Sequence, residues 1–203
     1  MTKRILIWDV PTRVFHWLQA LAFLGAYLTS DSERYRDIHI ALGYIMFGMI
    51  IFRLLWGFVG TRYARFSSFL FKPAEVFEYM GSLVKRNPTH YLGHNPAGSV
   101  AVWLLLLLGV LLSVSGVLAL QDEASDAVIE LHEIATDIML VVIAIHIFGV
   151  FVSSMMHREN LVRAMITGTK PSDAGSGIQS AYTWLGLAMV VISVAFYFVF
   201  MGS

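Results

Sequence analysis

The most regular feature of the chain is a series of five long apolar segments separated by polar connections. The hydrocarbon core of a bilayer is about 30 Å thick and a helix rises about 1.5 Å per residue, so a spanning helix needs about 20 mostly apolar residues. The pattern therefore predicts five transmembrane helices, at about residues 14–29, 38–57, 98–120, 128–156 and 178–201. No small-residue cleavage site follows the first segment, so we expect a retained helix and not a signal peptide.

The placement of positive charge predicts how these helices cross the membrane. Twelve of the fourteen lysine and arginine residues lie on one side, including Arg53, whose long side chain is expected to reach the surface. Because lysine and arginine are enriched on the cytoplasmic side, the amino terminus is expected inside and, with five crossings, the carboxyl terminus outside. The opposite connections carry Arg34 and Arg36 against Asp31, Glu33, Asp37, Asp122, Glu123, Asp126, Glu130 and Glu133.

Two polar segments have a pattern of their own. In the cytoplasmic connection 58–97, the run PAEVFEYMGSLVKR has apolar residues at helical spacing. This spacing predicts a short amphipathic helix at the inner membrane surface, and a solvated connector is the alternative. The run SDAGSG, residues 172–177, predicts a flexible linker before the fifth helix.

Composition supports a membrane protein and narrows its chemistry. Hydrophobic residues make up 57% of the 203 positions and charged residues only 14%, against about 25% charged in a soluble domain. The formal net charge of zero provides no general attraction to nucleic acid. The absence of cysteine excludes disulfides, iron–sulfur clusters and covalently attached c-type haem. Redox or metal chemistry must therefore depend on the seven histidines.

Four of these histidines lie within the predicted spans, where an ionisable side chain is costly and is a functional candidate. His132 and His146 are 14 residues apart in the fourth span, which places them on one helix face and about 21 Å apart along its axis. Antiparallel threading sets His16 at the inner level with His146 and His39 at the outer level with His132. Each level then offers two facing imidazoles.

Two facing imidazoles at each of two levels are what bis-histidine haem ligation requires. The pattern therefore predicts two b haems, with His16, His39, His132 and His146 as the ligands of the haem iron. A purely structural role for the histidines is the simpler alternative. A zinc or copper site is disfavoured because each level lacks thiolates and a clear carboxylate set. Asp137 is one exception to this lack of carboxylates. Its role is either proton handling or a hydrogen bond to a neighbouring helix.

Glycines near the histidines supply room for a porphyrin. Gly43 follows His39 by four residues and Gly149 follows His146 by three, so each lies beside its histidine on the same helix face. Close helix packing through small residues is the alternative for each glycine. The other glycines considered in the spans are Gly25, Gly48, Gly109 and Gly116.

Two sequence motifs resemble a known family. The run WDVPTRVFHW, residues 8–17, and the run GHNPAGS, residues 93–99, resemble the bacterial cytochrome b561 family, which includes the b-type cytochrome subunit of nickel–iron hydrogenases. The resemblance implies an all-α membrane protein, with a four-helix dihaem domain over residues 1–160 and a linker and fifth transmembrane helix over residues 161–203. It also implies the pairs His16 with His146 and His39 with His132. The fifth helix either docks a partner subunit or anchors the carboxyl end.

The resemblance suggests further roles at the edges of the motifs. Arg13 is a candidate contact for a haem propionate or a quinone oxygen, with a positive-inside anchor as the alternative. His94 is a candidate quinone contact. Asn95 and Pro96 predict an N-cap and the first residue of the third span. His157 is given no role.

Electron transfer is the predicted chemistry, since the chain has no nucleotide-binding motif, flavin fingerprint or nucleophile constellation. Location and resemblance imply the quinone pool as one partner in a respiratory electron transport chain. The other partner is expected to be a periplasmic c-type cytochrome. The alternatives are a membrane anchor for a hydrogenase or another dehydrogenase, and a superoxide:quinone oxidoreductase. The acidic outer connections would repel the superoxide anion, which disfavours the last alternative. Whether the chain is an oxidoreductase enzyme stays open. The alternative to an electron-transfer protein is a helical membrane protein without haem, such as a small transporter.

Overall fold

The computed structural model describes residues 3–121, 123–172 and 177–202. These residues form seven α-helices, a two-stranded sheet, and short 3-10 helices at Glu33–Tyr35 and Phe66–Ser68. In chain order the elements are β1 (Lys3–Leu6), α1 (Val10–Thr29), α2 (Arg36–Val59), α3 (Pro73–Val84), α4 (Pro96–Ala119), α5 (Asp126–His157), α6 (Leu161–Thr167), β2 (Thr169–Ser172) and α7 (Thr183–Gly202).

Four of the five predicted spans are long and apolar enough to cross a membrane. They are α2 with the 3-10 turn before it, α4, α5 and α7, which have mean hydropathies of 2.0, 2.6, 2.5 and 2.3 over their most apolar windows. The first predicted span is also a helix, α1, and it has the required 20 residues. Arg13, His16 and Gln19 make it more polar than the other four, so its crossing of the membrane stays a prediction.

The first compact unit, here called the bundle unit, comprises Val10–Leu54, Leu106–Met139 and Tyr182–Ser203. Helix α7 packs against α1 in this unit. Its Phe196 and Phe200 rings also lie 6.3 and 6.0 Å from the ring of Tyr44 on α2. The fifth long apolar helix is thus packed against helices of its own chain.

The second compact unit, here called the ribbon unit, comprises Met1–Asp9, Leu55–Leu105 and Leu140–Ala181. Strand β1 pairs antiparallel with β2, from Lys3 opposite Ser172 to Leu6 opposite Thr169. The chain enters β2 through Gly168, whose φ of 80° favours glycine. The sequence pattern predicts neither this sheet nor α6, because the strands are only four residues long and lie far apart in the chain.

Residues around the sheet form the core of the ribbon unit. Ile7, Trp8, Tyr63 and Ala164 are buried against one another. Asp9 is fully buried, and its Oδ2 accepts hydrogen bonds from Trp56 Nε1 at 3.1 Å and Thr61 Oγ1 at 2.5 Å. Buried donors satisfy this carboxylate, so Trp8 and Asp9 of the first sequence motif are structural residues of the core.

Two local predictions in the ribbon unit are confirmed. The amphipathic segment forms α3, with Tyr79 buried and Phe77 and Val84 exposed, although its position at a membrane surface stays a prediction. Helix α4 begins at Pro96, and Asn95 Oδ1 accepts a hydrogen bond from Gly98 N at 2.7 Å, as an N-cap does. Residues 173–176 of the predicted linker lie outside the described residues.

Candidate haem-binding site

His39 and His132 face each other within the bundle unit. His39 lies in the first turn of α2 and His132 in the second turn of α5, and both are half-buried. Their ring centroids are 6.4 Å apart with an angle of 74° between the ring planes. The structure thus brings together the pair that was predicted for the outer level.

Hydrogen bonds assign the proton on each ring. His39 Nδ1 lies 2.8 Å from the carbonyl oxygen of Ala26, which can only accept, so Nδ1 carries the hydrogen. His132 Nδ1 lies 2.9 Å from Ser115 Oγ, whose own hydroxyl donates to the Leu112 carbonyl at 3.3 Å. With that hydroxyl donated to Leu112, Ser115 Oγ can accept a hydrogen bond from His132 Nδ1. In both rings the Nε2 atom keeps its lone pair.

This arrangement fits a pair of axial haem ligands. Metal–nitrogen bonds of about 2.0 Å on either side of one iron set two facing imidazole centroids about 6 to 6.5 Å apart. Edge-to-face aromatic pairs cover the same distance range, so the distance alone does not identify a metal site. The second requirement is that each Nδ1 donates to a protein acceptor and leaves Nε2 for the metal. Both rings meet it.

The glycines near this pair divide into two kinds. A Cβ atom added at Gly43, on the histidine face of α2, would meet nothing within 4 Å, so the chain leaves room beside His39. A Cβ atom at Gly116 would lie 3.1 Å from His132 Cε1, and one at Gly25 would lie 2.6 Å from Leu42 Cδ1. Gly116 and Gly25 therefore serve close packing, whereas Gly43 fits the predicted role of making space.

The remaining glycines follow the same division. Open space surrounds Gly48 and Gly149, whereas a Cβ atom at Gly109 would lie 2.6 Å from Ile50 Cδ1. Within the described residues, no group of three or more histidine, aspartate or glutamate side chains is placed to hold a metal ion. Asp137 lies exposed on α5.

The histidines of the second predicted pair belong to different units. His16 is half-buried on α1 in the bundle unit, and His146 is half-buried on α5 in the ribbon unit. Helix α5 runs without a break over Asp126–His157, which keeps His132 and His146 on one face of one helix as predicted. The pairing of His16 with His146 stays a prediction.

Two arginines lie in the same unit as His16. Arg13 precedes His16 on α1 by three residues and is half-buried. Arg53 on α2 is only 3% exposed and has an interaction partner within the protein. The prediction that Arg53 extends to the surface is therefore wrong for this structure, because its side chain is buried within the protein. Sequence reasoning missed Arg53 as a candidate site residue.

His94 lies in the ribbon unit among aromatic side chains. Its ring is 4.8 Å from Trp8 and 4.4 Å from Phe69, measured between centroids. Phe69 and Trp8 are buried, and His94 is half-buried. An imidazole between aromatic rings can hydrogen-bond a planar carbonyl compound, but its predicted contact with quinone stays a prediction.

A second histidine group in the ribbon unit was not predicted. His90 Nε2 lies 2.7 Å from Glu159 Oε1, and Lys170 Nζ lies 3.3 Å from Glu159 Oε2. His157 Nε2 lies 3.4 Å from the hydroxyl of Tyr79, and the rings of His90 and His157 are 5.3 Å apart. We call these five residues the ionic cluster. Its members come from separate segments around residues 79–90, 157–159 and 170, so no local pattern indicated it.

Burial affects the ionisable groups of the ionic cluster. Burial lowers the pKa of Lys170 from its ordinary value of 10.5, and the neighbouring carboxylate of Glu159 partly restores it. Burial raises the pKa of the Tyr79 hydroxyl above 10.0. The cluster thus contains a buried ammonium that depends on one carboxylate.

Comparison with known proteins agrees with the site. Residues 7–168 match the family model described as prokaryotic cytochrome b561. A Rhizobium leguminosarum bv. viciae protein named probable Ni/Fe-hydrogenase B-type cytochrome subunit is 24% identical, over 83% of this chain and 89% of its own length. A protein of the same name from Azotobacter vinelandii is also 24% identical, over 81% and 87% of the two chains.

A shorter match is found in Escherichia coli strain K12. Its probable Ni/Fe-hydrogenase 1 B-type cytochrome subunit is 27% identical over 59% of this chain and 61% of its own length. No solved protein structure matches the chain. The family model covers most of the chain, and the apolar helices and paired imidazoles suit a membrane protein that binds haem b. The chain therefore belongs to the prokaryotic cytochrome b561 family and is a multi-pass membrane b-type cytochrome of electron transfer.

Proposed function

We propose that this cytochrome carries electrons across the bacterial inner membrane through two bis-histidine b haems, between the quinone pool and a periplasmic redox partner such as a c-type cytochrome. The observation that carries the proposal is the His39–His132 pair, whose Nδ1 atoms donate within the protein while both Nε2 atoms remain for a metal. His146 follows His132 on the same face of α5, about 21 Å along the helix. That spacing supports a second haem layer.

The second layer consists of His16 and His146 in this proposal. Bound haem supplies a reversible one-electron iron couple, and the protein holds and surrounds it. Arg13 lies near the amino-terminal end of α1, and Arg53 near the carboxyl end of α2, where their guanidinium groups would pair with propionates. The buried position of Arg53 within a span marks it as a functional candidate, which favours this role.

The quinone contact is assigned to the ribbon unit. With the amino terminus in the cytoplasm, the connection 58–97 that carries His94 is cytoplasmic in this proposal. There His94, flanked by Trp8 and Phe69, would donate or accept a hydrogen bond at a quinone oxygen. In this scheme, His94 would contact the quinone, and the two histidine pairs would hold the haems that supply the one-electron couples. The periplasmic connections would receive the redox partner.

A second candidate function is supported by the names of the relatives. Each relative compared above is named as a B-type cytochrome subunit of a Ni/Fe-hydrogenase. In this alternative, the periplasmic partner is a hydrogenase or another dehydrogenase, and electrons flow from it to quinone. Superoxide oxidation is less favoured, because exposed acidic residues such as Asp31, Glu33 and Glu123 lie in the outer connections and would repel the anion.

The haem proposal is tested on purified protein by redox difference spectroscopy and haem quantification. We expect two b haems per chain and the loss of one in each single alanine variant of the four histidines. His39→Ala and His132→Ala must lose the same haem, distinguished by its midpoint potential, and His16→Ala and His146→Ala the other. A preparation from haem-replete cells that lacks haem, or a common haem lost from His16→Ala and His39→Ala, would refute the scheme.

The partner is tested by mild affinity purification of the tagged chain, followed by mass spectrometry and electron transfer. Recovery of a c-type cytochrome that is reduced by quinol through this protein supports the first function. Recovery of hydrogenase subunits, with haem reduction by hydrogen gas, supports the second. Spontaneous reduction of the haems by superoxide without any partner protein would favour the enzyme alternative over both.

A further inference from the structure

Gln19 is a buried amide on α1 whose atoms are not satisfied by the rest of the described protein. Its Nε2 and Oε1 are both shielded from solvent, and neither has a hydrogen-bond partner among the described residues. Gln19 follows His16 by three residues and lies on the same stripe of α1 as the buried residues Phe23 and Ala26. The amide therefore points with His16 into the interior of the bundle unit.

The surroundings of Gln19 show what it faces. On α4, a Cβ atom added at Gly109 would lie 3.8 Å from Gln19 Nε2 and 2.6 Å from Ile50 Cδ1. The amide thus lies where α1 approaches α4 at a position without a side chain, and Ile50 of α2 closes the same region. Gln19 is held between three helices of one unit.

Three hydroxyl side chains in the helices of the bundle unit are satisfied within their own helix. Ser113 Oγ donates to the Gly109 carbonyl at 2.7 Å, and Thr29 Oγ1 donates to the Gly25 carbonyl at 2.7 Å. Ser193 Oγ donates to the Met189 carbonyl at 2.9 Å. These hydroxyls need no ligand. A buried amide with neither its donor nor its acceptor matched is costly, and it points to a partner from outside the chain.

We infer that Gln19 is a haem-contact residue, whose amide N–H lies against the macrocycle of the haem held by His16. The residues are one helical turn apart on one face, and a porphyrin extends farther from its axial ligand than the helix pitch of about 5.4 Å. An N–H dipole directed at the macrocycle stabilises the electron-richer reduced state, so Gln19 raises the potential of that haem. The inference rests on the proposed ligation by His16.

The test is Gln19→Leu in the haem-loaded protein, with spectroelectrochemical titration of both haems. We expect the haem that is missing from His16→Ala to shift to a more negative midpoint potential, and its Soret and α bands to change. The other haem keeps its potential. Gln121→Leu, the same substitution at an exposed glutamine after α4, is the matched control and leaves both potentials unchanged.

The outcomes separate this inference from the proposed function. If His16→Ala loses one haem but Gln19→Leu moves neither potential nor spectrum, Gln19 is not a haem contact and the ligation scheme stands. If His16→Ala keeps both haems, the ligation itself fails. A shift confined to the haem that His39→Ala loses would overturn the assignment to His16. Should Gln19→Leu not accumulate, Gln19→Met provides the same readout with a flexible apolar side chain.

Discussion

Two histidine pairs in this cytochrome have similar separations but different hydrogen-bond partners. The rings of His39 and His132 in the bundle unit are 6.4 Å apart, and those of His90 and His157 in the ribbon unit are 5.3 Å apart. In the bundle unit, the Nδ1 atoms bond to protein oxygens. In the ribbon unit, the Nε2 atoms do so, with Glu159 and with the hydroxyl of Tyr79.

Whether a histidine pair can bind a metal depends more on which ring nitrogen bonds within the protein than on the distance between the rings. A histidine that uses Nδ1 within the protein presents Nε2 beyond its own backbone, where a metal can reach it. A histidine that uses Nε2 in an ionic or phenolic contact has its outer nitrogen committed to the fold. The bundle pair is therefore suited to bind iron, and the ribbon pair belongs to the ionic cluster.

The largest expected effect comes from removing a ligand in the bundle pair. His132→Ala should lose one b haem completely, because an alanine offers iron no lone pair. The measurement is haem content per chain with the redox spectrum. His157→Ala is the matched control on the same helix and should keep both haems. Equal haem loss from the two variants would mean that the two histidine pairs do not differ as described.

The next effect comes from the acceptor that orients His132. Ser115→Ala removes the oxygen that accepts from Nδ1, and loss of such partners weakens metal binding by about 10- to 100-fold. Competitive haem transfer to an apoprotein acceptor measures this change. Ser113→Ala is the control, since its hydroxyl donates to the backbone of its own helix. If both variants release haem at the parental rate, Ser115 does not orient the ligand.

Breaking the ionic cluster should destabilise the fold without removing haem. Glu159→Gln leaves the ammonium of Lys170, whose side chain is 5% exposed, without its carboxylate. Loss of one partner of a buried pair costs about 3 kcal/mol of unfolding free energy. Unfolding in detergent, followed by loss of secondary structure, measures it. Glu78→Gln on the exposed face of α3 should change little, and Glu159→Gln with Lys170→Met should recover part of the loss.

The smallest expected effect is on how the stability of the fold changes at alkaline pH. Because the pKa of Tyr79 is raised above 10.0, the folded protein holds this proton more tightly than the unfolded chain does. Its contribution to stability is therefore complete below pH 10.0 and is lost as the pH rises through the folded pKa. Tyr79→Phe should show a smaller loss of thermal stability between about pH 9 and 11 than the parent. A steeper loss would contradict the assigned shift.

Lys170 acts in the opposite direction, at pH values below 10.5. Its pKa is lowered from 10.5, so the unfolded chain binds this proton more tightly and stability rises as the pH passes from the folded value to the ordinary one. Measuring Tyr79→Phe in a Lys170→Met background separates the two contributions. In that background, the alkaline response of Tyr79 should persist.

Features that depend on neighbouring residues could be predicted from the sequence. Four apolar helices follow from segment length, and α4 begins where Asn95 and Pro96 indicate. The common face of His132 and His146 follows from helical periodicity alone. The family also follows from two short motifs, each an unbroken run of residues, at 8–17 and 93–99. Each of these depends on chain geometry within a few helical turns, which a linear pattern records.

Only the tertiary structure decided which distant groups meet. The sheet joins Lys3 to Ser172, and Glu159 joins His90 to Lys170, although nothing in either segment specifies its partner. The oxygens of Ala26 and Ser115 that contact the imidazoles of His39 and His132 come from α1 and α4. Such contacts are selected by the burial free energy of whole helices as they pack. The positions of the histidines along the helices therefore followed from the sequence. The nitrogen that each histidine presents followed from the fold.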